Sequence, residues 1–250
     1  METTRGLSQR DPSRQREAEI VHLLEESRKS LVKSGSVLIP VFALGRMQEM
    51  LVVIDEAIKR GAIPKVPVFC SGLGMDLVNH FHQISKNTTR IRFNRKVLRS
   101  LGAQPIPRNI EPGQAPPMQG IYLVSSGMLV EHTPSYVMAS SMLGDQHNCI
   151  LFVGYCDPST PGGKLLANRN DSSFEFEAYN HIEQIKAKIR QFDLSGHADR
   201  DQLLAYAEKL SPKTIFLTHG DPGAREWFME SLKDNGAKII NPEPLTFYET

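Results

Sequence analysis

The sequence predicts an α/β protein in which a parallel β-sheet is flanked by helices. Residues 36–43 are nearly all apolar, which is typical of a strand covered on both faces of a sheet. An amphipathic helix over 47–59 and an apolar strand over 66–69 follow, and this order predicts a right-handed βαβ unit. Towards the C-terminus, two further strands each lead through a short turn into a helix, and the turns carry His197 and His219.

Length and composition set the first limits on function. A chain of 250 residues is long enough for one large α/β domain or two smaller ones. The formal net charge is only +1, so nucleic-acid binding would need a local basic groove. The longest apolar run is interrupted by Pro40 and is far shorter than the ~20 residues that span a bilayer, so we expect no membrane partner. No signal-peptide pattern follows Met1, which favours a cytoplasmic protein, and three cysteines without Cys-x-x-Cys spacing favour reduced, structural thiols.

The first part of the chain begins at what we interpret as the end of a strand, followed by a loop over 7–16. Residues 12–31 show the pattern of an amphipathic helix. The basic residues here could face phosphate, but a solvated helix face is the simpler explanation; they are Arg10, Arg14, Arg16, Arg28 and Lys29. The helix over 47–59 is predicted to end at Gly61.

A Gly-x-Gly sequence at 72–74 opens the next predicted helix. Backbone amides at such a place can cradle phosphate. The segment lacks the full Rossmann or Walker pattern, and a tight turn explains the glycines more simply. A nucleotide-binding α/β protein is therefore a minor alternative.

Residues 85–118 combine a cluster of basic residues with a proline-rich stretch over 105–117. We interpret this segment as a helical excursion followed by a loop. Two alternatives stay open for it, a lid that faces nucleic acid and an ordinary charged surface. The basic residues are Lys86, Arg90, Arg92, Arg95, Lys96, Arg99 and Arg108.

Two more apolar strands are predicted over 120–124 and 149–153. A turn of small residues follows the first, and Gly154-Tyr155 ends the second. The loop over 157–163 is placed where it could border a cleft. Residues 167–180 are predicted to be a surface connection, and 185–189 alternate like a half-buried strand.

Helix-start signals follow both histidines of the C-terminal region. Asp199 and Gln202 form a capping-box pattern for a helix that ends near residue 210, and Asp221-Pro222 predicts the start of the last helix. We therefore assign Asp199 and Asp221 mainly to helix capping. A lone histidine on such a turn is usually structural. Two histidines on equivalent strand-to-helix turns, each followed by an aspartate two residues later, favour a functional site.

Several of these segments resemble the β-CASP branch of the metallo-β-lactamase-fold nucleases. That branch includes the bacterial RNA-processing exonucleases and the endonuclease subunit of the pre-mRNA cleavage and polyadenylation factor. Ser195-Gly-His-Ala-Asp199 and Thr218-His-Gly-Asp221 are similar to two of its signature motifs, and the resemblance extends in family order over 2–6, 37–46, 125–128 and 154–155. It implies a β-CASP Rossmann-like parallel sheet with flanking helices, together with the C-terminal part of a metallo-β-lactamase αββα core.

The resemblance also implies a chemistry, the hydrolysis of RNA phosphodiester bonds at a pair of zinc ions. On the matching motifs, His219 is a zinc ligand, His197 protonates the leaving oxygen, and Glu2 holds the His197 ring in its tautomer and orientation. Within the family, a histidine at the position of His219 favours RNA over DNA. The matching segments further imply substrate contacts at Arg46, Ser126, Gly127, Ser195 and Lys164.

Part of the family site is missing from the sequence. The His-x-His-x-Asp-His motif, which supplies the first zinc ligands, does not occur; His80-Phe-His82 has its first spacing but is predicted to lie on the helix after Gly74. We therefore expect the chain to resemble the C-terminal portion of a longer nuclease and to be inactive alone. Either the missing N-terminal lactamase half or a second copy of the chain could complete the zinc pair.

The expected domains are the end of the first part of the lactamase core over 1–17, a β-CASP domain over 18–180, and the closing segment of the core over 181–250. The main functional alternative is a non-catalytic RNA-binding or scaffold protein of the same fold. The presence of Glu2, His197 and His219 favours descent from an active nuclease.

Overall fold

The computed structural model describes residues 1–8, 15–88, 93–107 and 109–248. The chain forms two compact units, one over Arg16–Leu194 and one that combines Met1–Gln15 with Ser195–Thr250. Five residues of the two basic segments defined above lie outside the described residues: Arg10, Arg14, Arg90, Arg92 and Arg108.

The larger unit contains eight of the named strands. In chain order they are β1 (Val37–Pro40), β2 (Val68–Cys70), β3 (Gln104–Pro105), β4 (Ile121–Val124), β5 (Cys149–Phe152), β6 (Ser173–Phe176), β7 (His181–Gln184) and β8 (Lys188–Gln191). Six of them form one parallel sheet in the order β3-β2-β4-β1-β5-β8. The strands β6 and β7 pair antiparallel. The predicted parallel sheet is therefore confirmed.

Helices lie on both faces of this sheet because the central strands are apolar on both sides. They are α1 (Arg16–Leu31), α2 (Arg46–Lys59), α3 (Gly72–Lys86), α4 (Lys96–Leu101), α5 (Pro134–Met142) and α6 (Pro161–Ala167). Along β1, Val37 and Ile39 belong to a core shared with α1, α2 and α4, whereas Leu38 belongs to a second core shared with α5 and α6. Such alternation into two cores is what a doubly covered parallel strand requires.

Two predictions for the end of this unit are wrong. Residues 167–180 are not merely a surface connection, because β6 buries Phe174 and Phe176 in the second core. The strand predicted over 185–189 begins at Lys188 instead, because the backbone amides of Lys186 and Ala187 donate to the Leu143 carbonyl and turn the chain. The strand β8 pairs with β5, and the larger unit extends to Leu194.

The Gly-x-Gly sequence lies in the first turn of α3 rather than in a loop. A Cβ atom on Gly74 would lie 1.9 Å from the Met47 sulfur, so the packing of α3 on α2 accounts for this glycine. That explanation replaces the tight turn expected from the sequence and requires no phosphate. His80 and His82 lie on α3, as predicted.

The three cysteines, Cys70, Cys149 and Cys156, are buried and free, which confirms the prediction of structural thiols. Burial raises the pKa of Cys70 and of Cys149 to about 12. Within the described ranges, no helix combines the length and apolar character needed to cross a membrane.

The smaller unit contains α7 (Arg200–Leu210), β9 (Thr214–Phe216), α8 (Pro222–Leu232) and β10 (Lys238–Ile240). The strands β9 and β10 pair in parallel, and the two helices pack against them through Leu203, Leu217 and Phe228. The order strand–helix–strand again places the start of α8 at the carboxyl end of β9, which is where His219 lies.

Candidate functional site

The N-terminal residues form a short parallel pairing beside the end of β9. Glu2 and Thr218 are bridge partners. The Thr218 amide donates to the Met1 carbonyl at 2.8 Å, and the Thr3 amide donates to the Thr218 carbonyl at 2.9 Å. Since the Leu217 amide donates to Ile240 on the other side, β9 has a neighbour along both edges. The pairing brings Glu2 next to the turn that carries His219.

The turn at His219 and Gly220 is tight and left-handed. Their φ angles are 59° and 69°, a conformation that favours glycine. Thr3 packs against this turn. Its hydroxyl donates to the His219 carbonyl at 2.8 Å, and a Cβ on Gly220 would lie 2.6 Å from the Thr3 carbonyl oxygen. Thr3 itself is fully buried. The sequence does not single out Thr3, because its residue type is the same as that of the neighbouring Thr4.

His197 lies on the turn before α7. Its backbone amide donates to the Ser195 hydroxyl at 3.1 Å. Asp199 begins α7 through the predicted capping box, in which the Gln202 amide donates to the Asp199 carboxylate at 2.9 Å and the Asp199 amide donates to the Gln202 side chain at 3.1 Å. The cap holds the start of the helix two residues after His197, while the His197 side chain stays half-exposed.

The structure brings Glu2 and His197 together. The Glu2 Oε1 atom lies 3.4 Å from His197 Nδ1, and the Thr4 amide donates to Glu2 Oε2 at 2.8 Å. Partial burial by itself raises the pKa of Glu2, but the hydrogen bonds from Thr4 and the charge of His197 outweigh it and lower the pKa. Glu2 is therefore a carboxylate at neutral pH, with one oxygen directed at the backbone and one at the imidazole.

The role assigned to Asp221 needs a correction. It is the N-cap residue of α8 by position, but its side chain makes no capping hydrogen bond. The amides of Ala224 and Arg225 donate to its backbone carbonyl instead. Its side chain is exposed two residues after His219.

The residues that could hold a metal are few. Among the described residues, no group of three or more His, Cys, Asp or Glu side chains could hold an ion. His219 is exposed at the end of its turn, where it offers one imidazole donor. A zinc centre needs three or four donors, so these residues do not by themselves fit the zinc pair that the resemblance implies.

In the larger unit, three of the predicted substrate-binding residues follow the carboxyl ends of parallel strands. Arg46 begins α2 after β1, and Ser126 and Gly127 follow β4. A Cβ on Gly127 would lie 3.2 Å from Phe42, and the Gly162 amide donates to the Met128 carbonyl at 2.9 Å. The turns after β1 and β4 and the start of α6 are therefore contiguous along one edge of the sheet.

The polar groups at this edge have intramolecular partners. Arg46 pairs with Glu49, and burial lowers its pKa to about 10, with Arg16 adding to the decrease and Asp193 opposing it. The Ser126 hydroxyl accepts from the Val130 amide at 3.0 Å. Lys164 on α6 lies 3.0 Å from Glu177 in an exposed pair. Ser195, the fifth predicted contact, belongs to the smaller unit.

The lowered pKa of Glu2 gives a test of the pair. A carboxylate whose folded pKa is depressed contributes stability above its ordinary pKa of 4.5 and loses it as the pH falls through the folded pKa. We therefore expect Glu2→Gln to be less stable than the wild type at pH 7, with the difference in unfolding free energy shrinking below about pH 4.5 in urea titrations. Asp221→Asn is the control, because that side chain accepts no capping hydrogen bond. A difference that stays constant from pH 7 to 3 would argue against the stabilising contacts of Glu2.

Comparison with known families gives independent information. The Beta-Casp domain model matches residues 47–165. The model described as the Zn-dependent metallo-hydrolase RNA specificity domain matches residues 182–242. The two matches cover most of the larger unit and the segment that carries His197 and His219.

Individual relatives agree with the family matches. The chain is similar to the transcription termination factor FttA of Methanothermobacter thermautotrophicus, with 32% identity over 84% of this chain and 34% of the relative. It is also similar to the Integrator complex subunit 11 homolog of Dictyostelium discoideum, with 27% identity over 96% of this chain and 33% of the relative. An RNase J-like protein of Methanocaldococcus jannaschii shares 26% identity over 80% of this chain and 46% of its own length.

The chain thus spans about a third of the length of the FttA and Integrator relatives. The two domain matches occur in the order that the sequence motifs predicted, and the parallel sheet of the larger unit agrees with a β-CASP Rossmann-like fold. The chain belongs to the β-CASP branch of the metallo-β-lactamase-fold RNA-processing nucleases.

Proposed function

We propose that the protein acts in the hydrolysis of RNA phosphodiester bonds, with His197 as the proton donor to the leaving oxygen. The observation that carries this proposal is the contact between Glu2 and His197 on the smaller unit. An imidazole held by a carboxylate and half-exposed to solvent is suited to transfer a proton to a bound substrate. The family's association with RNA supports RNA as the substrate class.

The proposed step keeps atoms and charge in balance. The oxygen of a water molecule forms a bond to phosphorus and releases one proton to solvent, and the bond from phosphorus to one bridging oxygen breaks. That oxygen takes the proton from His197 Nε2, because Nδ1 faces Glu2 and Nε2 is the remaining ring nitrogen. The neutral ring then regains a proton from solvent, to which it is half-exposed.

Glu2 is proposed as a positioning residue. Its lowered pKa keeps it ionised, and an ionised carboxylate only accepts hydrogen bonds. It therefore requires a proton on His197 Nδ1 and fixes the tautomer of the neutral ring. Proton transfer to the leaving oxygen requires the imidazolium form, in which both ring nitrogens carry a proton.

Zinc dependence is a further part of the proposal, supported by the description of the matched RNA specificity domain. His219 is the proposed ligand from this chain. Since the described residues provide no group of three donors, the other ligands are proposed to come from a partner, either an N-terminal lactamase half or a second copy of the chain. When bound, zinc would supply an activated water and neutralise charge on the phosphate.

A non-catalytic RNA-binding or scaffold protein is the competing function. One relative is named as a subunit of the Integrator complex, so a member of this family works within an assembly. The Glu2–His197 contact favours the catalytic proposal, because a scaffold does not need an imidazole oriented by a carboxylate. The cytoplasmic location expected from the sequence stays a prediction.

Substitution of His197 tests the proton-donor role in the assembled, RNA-cleaving protein. We expect His197→Ala to slow cleavage by about 10²–10⁴-fold, the usual contribution of a general acid, with zinc content unchanged. His219→Ala should instead lower zinc occupancy, measured by elemental analysis. His147→Ala is the matched control, because His147 also pairs with a carboxylate, Asp145, at 2.9 Å but lies in the larger unit. Loss of zinc in His197→Ala equal to that in His219→Ala would contradict the assignment.

The chain of 250 residues, assayed without a partner, tests the origin of the zinc ligands. We expect less than one tightly bound zinc ion per chain after dialysis and no RNA cleavage above background, because one histidine cannot hold a zinc pair. Chelator-sensitive cleavage of RNA by this chain alone would contradict the proposal that a partner supplies ligands.

A further inference from the structure

Positive charge is concentrated in one segment of an otherwise acidic chain. Residues 77–110 contain seven Lys and Arg residues and no Asp or Glu. The remaining 216 residues contain 22 Lys and Arg against 28 Asp and Glu, so the near-zero net charge conceals a strongly basic region. A local concentration of this kind is the electrostatic footprint of a polyanion-binding surface.

Four of these cations lie on α3, on α4 or at the N-cap of α4, and they define what we call the α3–α4 basic surface: Lys86, Arg95, Lys96 and Arg99. All four are exposed. Within the described ranges none of them forms an ion pair with a carboxylate, whereas on the neighbouring helix α2 Lys59 pairs with Asp55 and Arg60 with Glu56. The positive charge of the surface is therefore not neutralised from within its own unit.

Side-chain contacts hold α4 against α3 and α2. The Arg95 guanidinium donates to the Asn79 side chain at 3.3 Å, and the Ser85 hydroxyl donates to the Phe93 carbonyl at 2.8 Å. The Ser100 hydroxyl donates to Asp55 at 2.6 Å. Because these contacts fix the helices that carry the cations, the positions of the charges are set before any ligand binds.

The surface borders a groove rather than a flat face. A cavity of about 960 Å³ lies between α2, α3 and α4, and Lys59, Lys86 and Lys96 line it, one from each helix. Ser85 and Asn94 add neutral hydrogen-bonding groups to the lining, and Asp55 and Glu56 of α2 add two carboxylates, which pair with Lys59 and Arg60. The ammonium groups of Lys86 and Lys96, which form no such pair within the described residues, are suited to contact successive phosphates of a nucleic-acid strand.

The chemistry of the surface favours contacts with the backbone of RNA over contacts with its bases. No Phe, Tyr or Trp is exposed in the described residues 72–88 and 93–107; Phe93 is buried and Phe81 is partly buried against it. Since these large aromatic rings are not exposed, we expect binding to depend mainly on charge and hydrogen bonds to phosphate. Such contacts do not discriminate between sequences.

We propose that the α3–α4 basic surface is a sequence-independent docking site for the RNA backbone on the larger unit. The proposal deepens the proposed function, since it rests on RNA as the ligand, but it does not require the chemistry assigned to His197. Of the two alternatives that the sequence left open for this segment, the proposal adopts a surface that faces nucleic acid, without the movement of a lid.

The test compares two variants that remove equal charge. Lys86→Gln, Arg95→Gln, Lys96→Gln and Arg99→Gln together form the surface variant. Lys33→Gln, Lys65→Gln, Lys209→Gln and Lys213→Gln form the control, because these four lysines are also exposed and, within the described residues, have no ion-pair partner. Fluorescence anisotropy with a labelled single-stranded RNA of mixed sequence gives the affinity at several salt concentrations, and thermal melting verifies that each variant is folded.

We expect the surface variant to bind RNA at least about ten-fold more weakly near 0.1 M salt, with the slope of log K against log salt reduced by about 2–3, since each phosphate contact contributes ~0.7. The control should stay within about two-fold of the wild type. Equal loss in both variants, or unchanged binding in the folded surface variant, would overturn the proposal; an acidic protein partner would then be the better candidate. The anisotropy assay measures binding without cleavage, so its result for the surface variant does not depend on the outcome of the His197→Ala cleavage assay, and failure of the docking site can be distinguished from failure of the hydrolytic proposal.

Discussion

The candidate site depends on one short parallel pairing, between Glu2 and Thr218. Two backbone hydrogen bonds fix the register, and a slip by one residue would direct the Glu2 side chain to the other face. The same pairing brings Thr3 beneath the left-handed turn, where its hydroxyl holds the His219 carbonyl. Glu2, the turn of His219 and the contact to His197 therefore depend on the same few backbone interactions.

The two units contribute different chemistry. The smaller unit presents an imidazole–carboxylate pair and a second exposed histidine, groups suited to proton transfer and to metal ligation. The larger unit presents a helical surface with four cations that lack carboxylate partners within the described residues. This surface is suited to bind a polyanion without taking part in a chemical reaction. The proposed electrostatic docking and the proposed bond cleavage thus use separate residues, so that substitution can test each of them independently.

The sequence predicts those parts of the fold and of the candidate site that have a characteristic residue pattern. The strands β1, β4 and β5 are predictable because doubly buried strands are continuously apolar, and the cap of α7 is predictable because a capping box has a residue signature. The strand β6 has only four residues, and its alternation of buried and exposed side chains is too short to distinguish a strand from a surface connection. The role of Thr3 depends on the left-handed turn that its hydroxyl contacts, which lies 216 residues away in the sequence. Asp221 begins α8 through its backbone carbonyl, an interaction that any residue type can make.

The most direct test of the account is the tautomer of the neutral His197 ring, read from its nitrogen chemical shifts by NMR. Because the Glu2 carboxylate only accepts hydrogen bonds, the account predicts that the wild-type ring carries its proton on Nδ1. In Glu2→Gln the amide can donate or accept, so this preference should weaken. A wild-type ring protonated mainly on Nε2 would show that Glu2 does not receive the Nδ1 proton, and would contradict the proposed orientation of the proton donor.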